Sequence, residues 1–238
     1  MIDDDVFDHL RRPSVTRPLL GLTILAVEDS LYACDALRLM CLHSGARLRR
    51  ADCLKSARRH LQVYRPSVVI VDMGLPDGSG AELLYELRNT CPRVGVILAC
   101  SGDPFVEDVA LAAGSDGFLV KPIANLGTFQ QAILEHLPEH ARPCGLRPVR
   151  SDIIRPDLVA FREDMAYIAE LLSGTVDSKA ITYITAFVNG VAASAEDEAL
   201  QDAAIDLATA QANGAPVIGP VARLAGLVQA RVRDAVAL

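Results

Sequence analysis

At 238 residues the chain has room for one large or two ordinary domains, and a hydrophobic content of 51% supports buried cores and argues against wholesale disorder. The net charge of −7 is uneven: residues 1–150 carry 17 basic and 18 acidic side chains, whereas 151–238 carry 6 and 12. An acidic C-terminal third is a poor binder of duplex nucleic acid, because phosphate contacts need Lys and Arg.

The N-terminus, MIDDDVFDHL, is acidic where a signal peptide would be basic. No run approaches 18 uninterrupted apolar residues, so no membrane span and no membrane partner are expected. The six cysteines (34, 41, 53, 91, 100, 144) show no C-x-x-C pair and no His spacing suited to zinc. They read as small buried hydrophobes, and reduced thiols fit a cytoplasmic location.

Residues 1–20 mix an Asp run with Arg-Arg-Pro and Arg-Pro and read as a flexible arm. A β–α alternation starts at Leu22. Leu22–Val27 is an apolar strand, and Ser30 caps a helix to about Ser44. Ala46–Ala51 is a weaker strand, Leu54–Tyr64 a helix and Ser67–Val71 a fully apolar strand. Gly80–Asn89 is helical, Val94–Ala99 a strand, Phe105–Ala113 a helix, Gly117–Val120 a short strand and Leu126–Leu137 a helix. Five βα units in succession imply an α/β fold with a parallel sheet covered on both faces, here assigned to residues 21–138.

Residues 139–156 read as a linker, since the stretch from 138 to 156 holds four prolines and four arginines around a glycine. Residues 157–238 carry four amphipathic segments and no strand signal. Leu158, Phe161, Met165, Ile168 and Leu172 share one helical face, as do Ile181, Ile184, Val188 and Val191 after Asp177-Ser178. An Ala-rich acidic helix spans about 195–212, and a last one after Pro216 carries Val221, Leu224, Val228 and Val232. Short Gly-containing connections favour an antiparallel four-helix bundle.

The chemistry gathers at strand ends. In VDMGLPDGSG, Asp72 stands where the apolar run stops, at the carboxyl end of a strand, which is where open α/β sheets present their chemistry. Glu28-Asp29 close the first strand, Ser101 follows the fourth, and Lys121-Pro122 close the fifth. Each alone has a plain structural reading: a helix cap, a turn, a solvated Lys before a helix-starting proline. Together they assemble three carboxylates, a hydroxyl and a cation. Crowded carboxylates raise one another's pKa, and a Mg²⁺ ion, which favours hard oxygen ligands, reverses that repulsion.

With these residues Leu22–Leu137 resembles the receiver domain of two-component response regulators. The match is carried by Glu28-Asp29, by Asp72 with Pro76 and Gly80 after it, by Ser101, and by GSDGFLVKP with Phe118 and Lys121-Pro122. The resemblance implies a flavodoxin-like five-stranded sheet of order 2-1-3-4-5. It implies Asp72 as the phosphoacceptor for a phosphohistidine of a histidine kinase or phosphotransferase. It also implies Mg²⁺ held by Asp29, Asp72 and the Gly74 carbonyl, with Glu28 acting through water. Lys121 and Ser101 would contact the acyl phosphate, and Ser101 with Phe118 would form the switch. Such a domain catalyses only its own phosphorylation and dephosphorylation.

The C-terminal segment has a weaker resemblance, to histidine-phosphotransfer bundles. Thr185–Gly190, TAFVNG, is similar to their histidine-containing helix, with Gly190 at the glycine, Ala186 in the place of the histidine and Asn189 where a Lys is usual. All five histidines lie at or before position 140, so this segment offers no relay histidine. Its 88 residues also lack Cys and a Gly-rich loop, which leaves few catalytic options. Two functions follow as expectations. One is a non-DNA-binding output that docks a histidine kinase or phosphotransferase and modulates it. The other is a phosphate sink or relay whose helices only form a homodimer. Transcriptional regulation is the least favoured.

Overall fold

The structure is a computed structural model that describes residues 13–123, 125–143, 152–174 and 176–233. Five parallel strands, β1 (Thr23–Val27), β2 (Arg47–Ala51), β3 (Val68–Asp72), β4 (Val96–Ser101) and β5 (Gly117–Val120), form one sheet of order β2-β1-β3-β4-β5. This is the expected order. The burial of each strand follows its sequence. Val68–Asp72 is buried at every position because β3 lies between two strands under helices on both faces, whereas Arg-rich β2 sits at the edge and alternates.

Helices α1 (Leu31–Ser44), α2 (Leu54–Val63), α3 (Gly80–Arg88), α4 (Glu107–Ala113) and α5 (Leu126–Leu134) flank the sheet. Alternate strand residues feed two separate cores. Ile24, Ile70 and Leu98 meet Leu37 and Met40 of α1 and Phe129 of α5 on one face. Leu25, Val69 and Ile97 meet Leu54 of α2, Leu83 and Leu84 of α3 and Ala110 of α4 on the other.

Several boundaries differ from the expected ones. The helix expected from Phe105 begins with a 3-10 turn, Pro104–Val106, because Asp103 caps the Phe105 amide and the proline fits a first turn. A small antiparallel ladder pairs Gly74–Leu75 with Gly78–Ser79 directly after β3. Residues 1–12 of the expected arm lie outside the described residues, and its end is not loose: Leu19 is fully buried and its amide donates to the Ser44 carbonyl. The described part of the expected linker is packed too, with Glu139–Ala141 in a 3-10 turn and Ile154 against the α1–α5 core. Residues 144–151 of that linker lie outside the described residues. The cysteines are only partly as expected. Cys34, Cys41 and Cys100 are buried, but Cys91 is exposed and Cys53 half-buried, where its sulfur caps α2.

The C-terminal residues form helices α6 (Leu158–Ser173), α7 (Ser178–Ser194), α8 (Glu198–Ala212) and α9 (Ile218–Arg233). Asp157, Asp177 and Asp197 cap the first three. Each helix packs on the next and α9 returns onto α6, closing a four-helix ring around Met165, Ile168, Ile184, Val188, Leu207 and Leu224. This core also takes in Tyr32, a residue of α1 whose ring meets Phe161 edge-on at 5.7 Å. Among the described residues no helix is long and apolar enough to cross a membrane.

Candidate functional site

The carboxyl ends of β1, β3, β4 and β5 converge because parallel strands in adjacent register all point the same way. Glu28, Asp29 and Asp72 bring carboxylate oxygens within 4.8 Å of one another, the donor set a hard divalent cation prefers. Asp29 and Glu28 are held from behind by Arg50 of β2, whose guanidinium donates to the Asp29 carbonyl at 2.7 Å and the Glu28 carbonyl at 3.3 Å.

Asp72 is fixed at both oxygens. The Gly74 amide donates to Oδ1 at 3.1 Å, and Lys121 Nζ lies 2.7 Å from Oδ2. The same ammonium is 2.5 Å from Glu28 Oε2. Gly80 is required close by, since a Cβ there would collide with the Asp72 carbonyl. Burial works against the Lys121 charge, but Asp72 and Glu28 outweigh it and hold its pKa well above the ordinary value. Burial raises Glu28, with Lys121 opposing the rise and Asp72 and Asp29 adding to it. Burial likewise pushes Asp29 up to about 6. Three carboxylates and one cation leave a local excess of negative charge, which a divalent metal would neutralise.

Ser101 and Gly102 complete the wall of this pocket, and Gly74 lies in it as well. Phe118 is not part of the lining: it is half-buried on β5 against the α2–α3–α4 core. Sequence-based candidates Glu28, Asp29, Asp72, Gly74, Ser101 and Lys121 are thus brought together, and Phe118 stands apart.

The last wall comes from the helical region. Ala186, Phe187, Asn189 and Gly190 of α7 face Asp72 across a cavity of about 100 Å³. Tyr183, one turn earlier, donates its hydroxyl hydrogen to Asp29 Oδ2 at 2.5 Å. Its ring is braced by Phe187, whose centroid is 5.9 Å away. A second tie comes from α6. Asp164, 2% exposed, accepts from the amides of Leu31 (2.8 Å) and Tyr32 (3.1 Å) and from the Ser30 hydroxyl (2.7 Å). A carboxylate from the helical region therefore caps the first helix of the sheet domain, where the helix dipole favours an anion.

Asp164, Tyr183 and Asn189 were not among the expected site residues. For Asp164 a signal existed: it sits within the apolar stripe of Phe161, Met165 and Ile168, where an acid must have a buried partner. Tyr183 offered none, because a Tyr beside an apolar stripe is ordinary.

The sequence of the sheet domain also matches known proteins. The family model described as "Response regulator receiver domain" matches residues 24–133. The KDP operon transcriptional regulatory protein KdpE of Escherichia coli K12 is 29% identical over 138 residues, 58% of this chain and 61% of its own length. The probable transcriptional regulatory protein TcrX of Mycobacterium tuberculosis is 31% identical over 104 residues, 43% of this chain and 44% of its own. The chain therefore spans less than two thirds of these relatives. Among solved structures, the chemotaxis response regulator CheY4 of Vibrio cholerae is 25% identical with a TM-score of 0.45, covering 49% of this chain and 98% of that one.

Proposed function

We propose that this chain, whose residues 24–133 match the response regulator receiver domain, accepts a phosphoryl group on Asp72 from a phosphohistidine and uses its helical region, rather than a DNA-binding domain, as output. The observation that supports the first half most directly is the geometry at Asp72: a carboxylate at a strand end, held by Lys121 at 2.7 Å, with Glu28 and Asp29 beside it. The residues fit a magnesium ion. Asp29 and Asp72 would hold it with the Gly74 carbonyl, Glu28 through water, and the metal would supply charge neutralisation on the transferring oxygens. Lys121 would stay paired with the new phosphoryl oxygens, and the Ser101 hydroxyl would donate to them. The chemistry is confined to the phosphorylation and dephosphorylation of Asp72.

The donor in this reading is a histidine kinase or phosphotransferase in the cytoplasm, and the helical region docks and modulates such a partner. The support is compositional and structural. Residues 151–238 carry twice as many acids as bases, and on α9 Arg223 pairs with Asp206 and Arg231 with Asp197. The relatives are transcriptional regulators by name, and their matches span 58% and 43% of this chain. Labelling with phosphoramidate in the presence of Mg²⁺ tests the reading: wild type gains one hydroxylamine-labile phosphoryl group, and Asp72→Asn gains none. Equal labelling of the variant overturns it.

A further inference from the structure

We propose that the helical region is a removable cover over Asp72: docked as it stands, α7 closes the pocket to a phosphohistidine carried on another protein, and Asp164 and Tyr183 are the latch. The inference rests on Asp72 as phosphoacceptor and adds how access to it is governed.

The steric argument is direct. For in-line transfer, the donor imidazole must bring its phosphorus to roughly 3–3.5 Å from the attacking oxygen. Asp72 is buried, and its own domain lines the pocket with Glu28-Asp29, Gly74, Ser101-Gly102 and Lys121. Across from them α7 lines it with Ala186, Phe187, Asn189 and Gly190. Helix and loop are close here, since a Cβ on Gly102 would lie 3.7 Å from the Gly190 Cα. A cavity of about 100 Å³ admits a phosphoryl-sized group with water, whereas a helix with its side chains is about 10 Å across. A protein donor and α7 cannot occupy that side together.

The attachment is built to separate as a unit. The bundle has its own closed core, to which the sheet domain contributes Tyr32 alone among the fully buried members. Near the site the two parts share three hydrogen bonds to Asp164 and one from Tyr183, which touch Asp29, Ser30, Leu31 or Tyr32, the segment adjoining the acidic pocket. Farther along α1 the Asp157 amide donates to Asp35 at 2.9 Å. Small residues at 186 and 190 let α7 come close without filling the space over Asp72. Asn189, which lines the cavity, keeps its Oδ1 buried with no protein partner among the described residues.

Accessibility of position 72 tests the cover without any phosphodonor. In the full chain carrying Asp72→Cys, the new thiol is treated either with methyl methanethiosulfonate or with a polyethylene-glycol maleimide, and modification of residue 72 is read by peptide mapping. The small reagent is expected to react at similar rates with and without the latch. The large one is expected to react about tenfold or more faster when Asp164→Ala and Tyr183→Phe are added, because the open form becomes more populated. Ala186→Trp gives an independent opening: its side chain is exposed outside the bundle core, the indole would wedge the cavity, and it would be the only tryptophan in the chain. Its emission is expected to report solvent exposure together with faster polymer labelling. Equal polymer rates in latched, unlatched and wedged chains, all folded by circular dichroism, overturn the proposal. That failure is distinct from failure of the phosphoacceptor assignment, which phosphoramidate labelling of Asp72 decides separately.

Discussion

Tyr183 and Asp29 are 154 residues apart in sequence, and the phenol hydroxyl of one lies 2.5 Å from the carboxylate of the other. The contact ties a helix of the C-terminal bundle to an acid of the metal-type cluster. Any event that repositions Asp29 therefore changes the free energy of docking, and docking changes Asp29 by the same amount.

Tyr183→Phe keeps the ring contact with Phe187 and removes only the hydroxyl. A hydrogen bond to a charged acceptor contributes about 1.5–3 kcal/mol, so docking is expected to weaken by roughly that order with the bundle intact. Hydrogen exchange reads it. The Leu31 and Tyr32 amides, both bonded to Asp164, should lose protection while the amides of α8 and α9 keep theirs. Unchanged exchange at Leu31 and Tyr32 would count against the linkage.

Lys121 sits between Glu28 Oε2 and Asp72 Oδ2 with a side chain only 13% exposed. Lys121→Met leaves buried carboxylates without their cation, and breaking a buried pair costs about 3–5 kcal/mol. The variant is expected to melt at lower temperature than wild type in a metal chelator. Millimolar Mg²⁺ should recover more stability in the variant than it adds to wild type, because the metal replaces the missing charge. Equal Mg²⁺ increments in both proteins would show that the ion binds elsewhere.

Asp29→Ala removes one donor from the acidic set and relieves repulsion on Asp72. Magnesium affinity, measured by isothermal titration calorimetry, is expected to fall about tenfold or more, with phosphoramidate labelling slowed in step. Because Asp29 is half-buried and lies outside both sheet cores, the fold should persist. Retained affinity would place the metal on other ligands.

How legible was this in the sequence? The parallel sheet followed from βα alternation and its strand order from the family resemblance, and the site followed from residues at strand ends. Asp72, Glu28, Asp29 and Lys121 were visible because each interrupts or terminates an apolar run. The hairpin at Gly74–Leu75 was not, because a two-residue ladder carries no periodicity. The bundle helices were legible from their stripes, but their seat on the sheet domain was not. That seat depends on Asp164 capping a helix 133 residues earlier, and long-range caps leave no spacing rule. Asp77 shows the same blindness on a smaller scale: it reads as a turn residue in Leu-Pro-Asp-Gly, yet its carboxylate caps α2 through the amides of Leu54 and Lys55. Likewise Ala186 and Gly190, read only as positions of a bundle helix, line the pocket of their own chain.

The bundle should respond to acid through Asp197. Arg231 pairs with this carboxylate at 2.6 Å and, ahead of the opposing effect of burial, holds its pKa below the ordinary value; the Leu200 amide adds to the lowering. A carboxyl with a depressed folded-state pKa contributes stability that is present above its unfolded value, near 3.9, and is lost as pH falls through the lower folded value. The contribution is modest, because the Arg231 side chain is 29% exposed and water screens the pair. Arg231→Gln removes the larger part of the shift while leaving Asp197 to cap α8. Melting of the helical region between about pH 6 and pH 3 is expected to fall more steeply in wild type than in Arg231→Gln, the two curves converging at the acid end. Asp197→Ala should lose the pair and the cap together and so lie below both at neutral pH, by about 1 kcal/mol for the cap alone. Parallel wild-type and Arg231→Gln profiles would show that the pair does not set the acid response of the bundle.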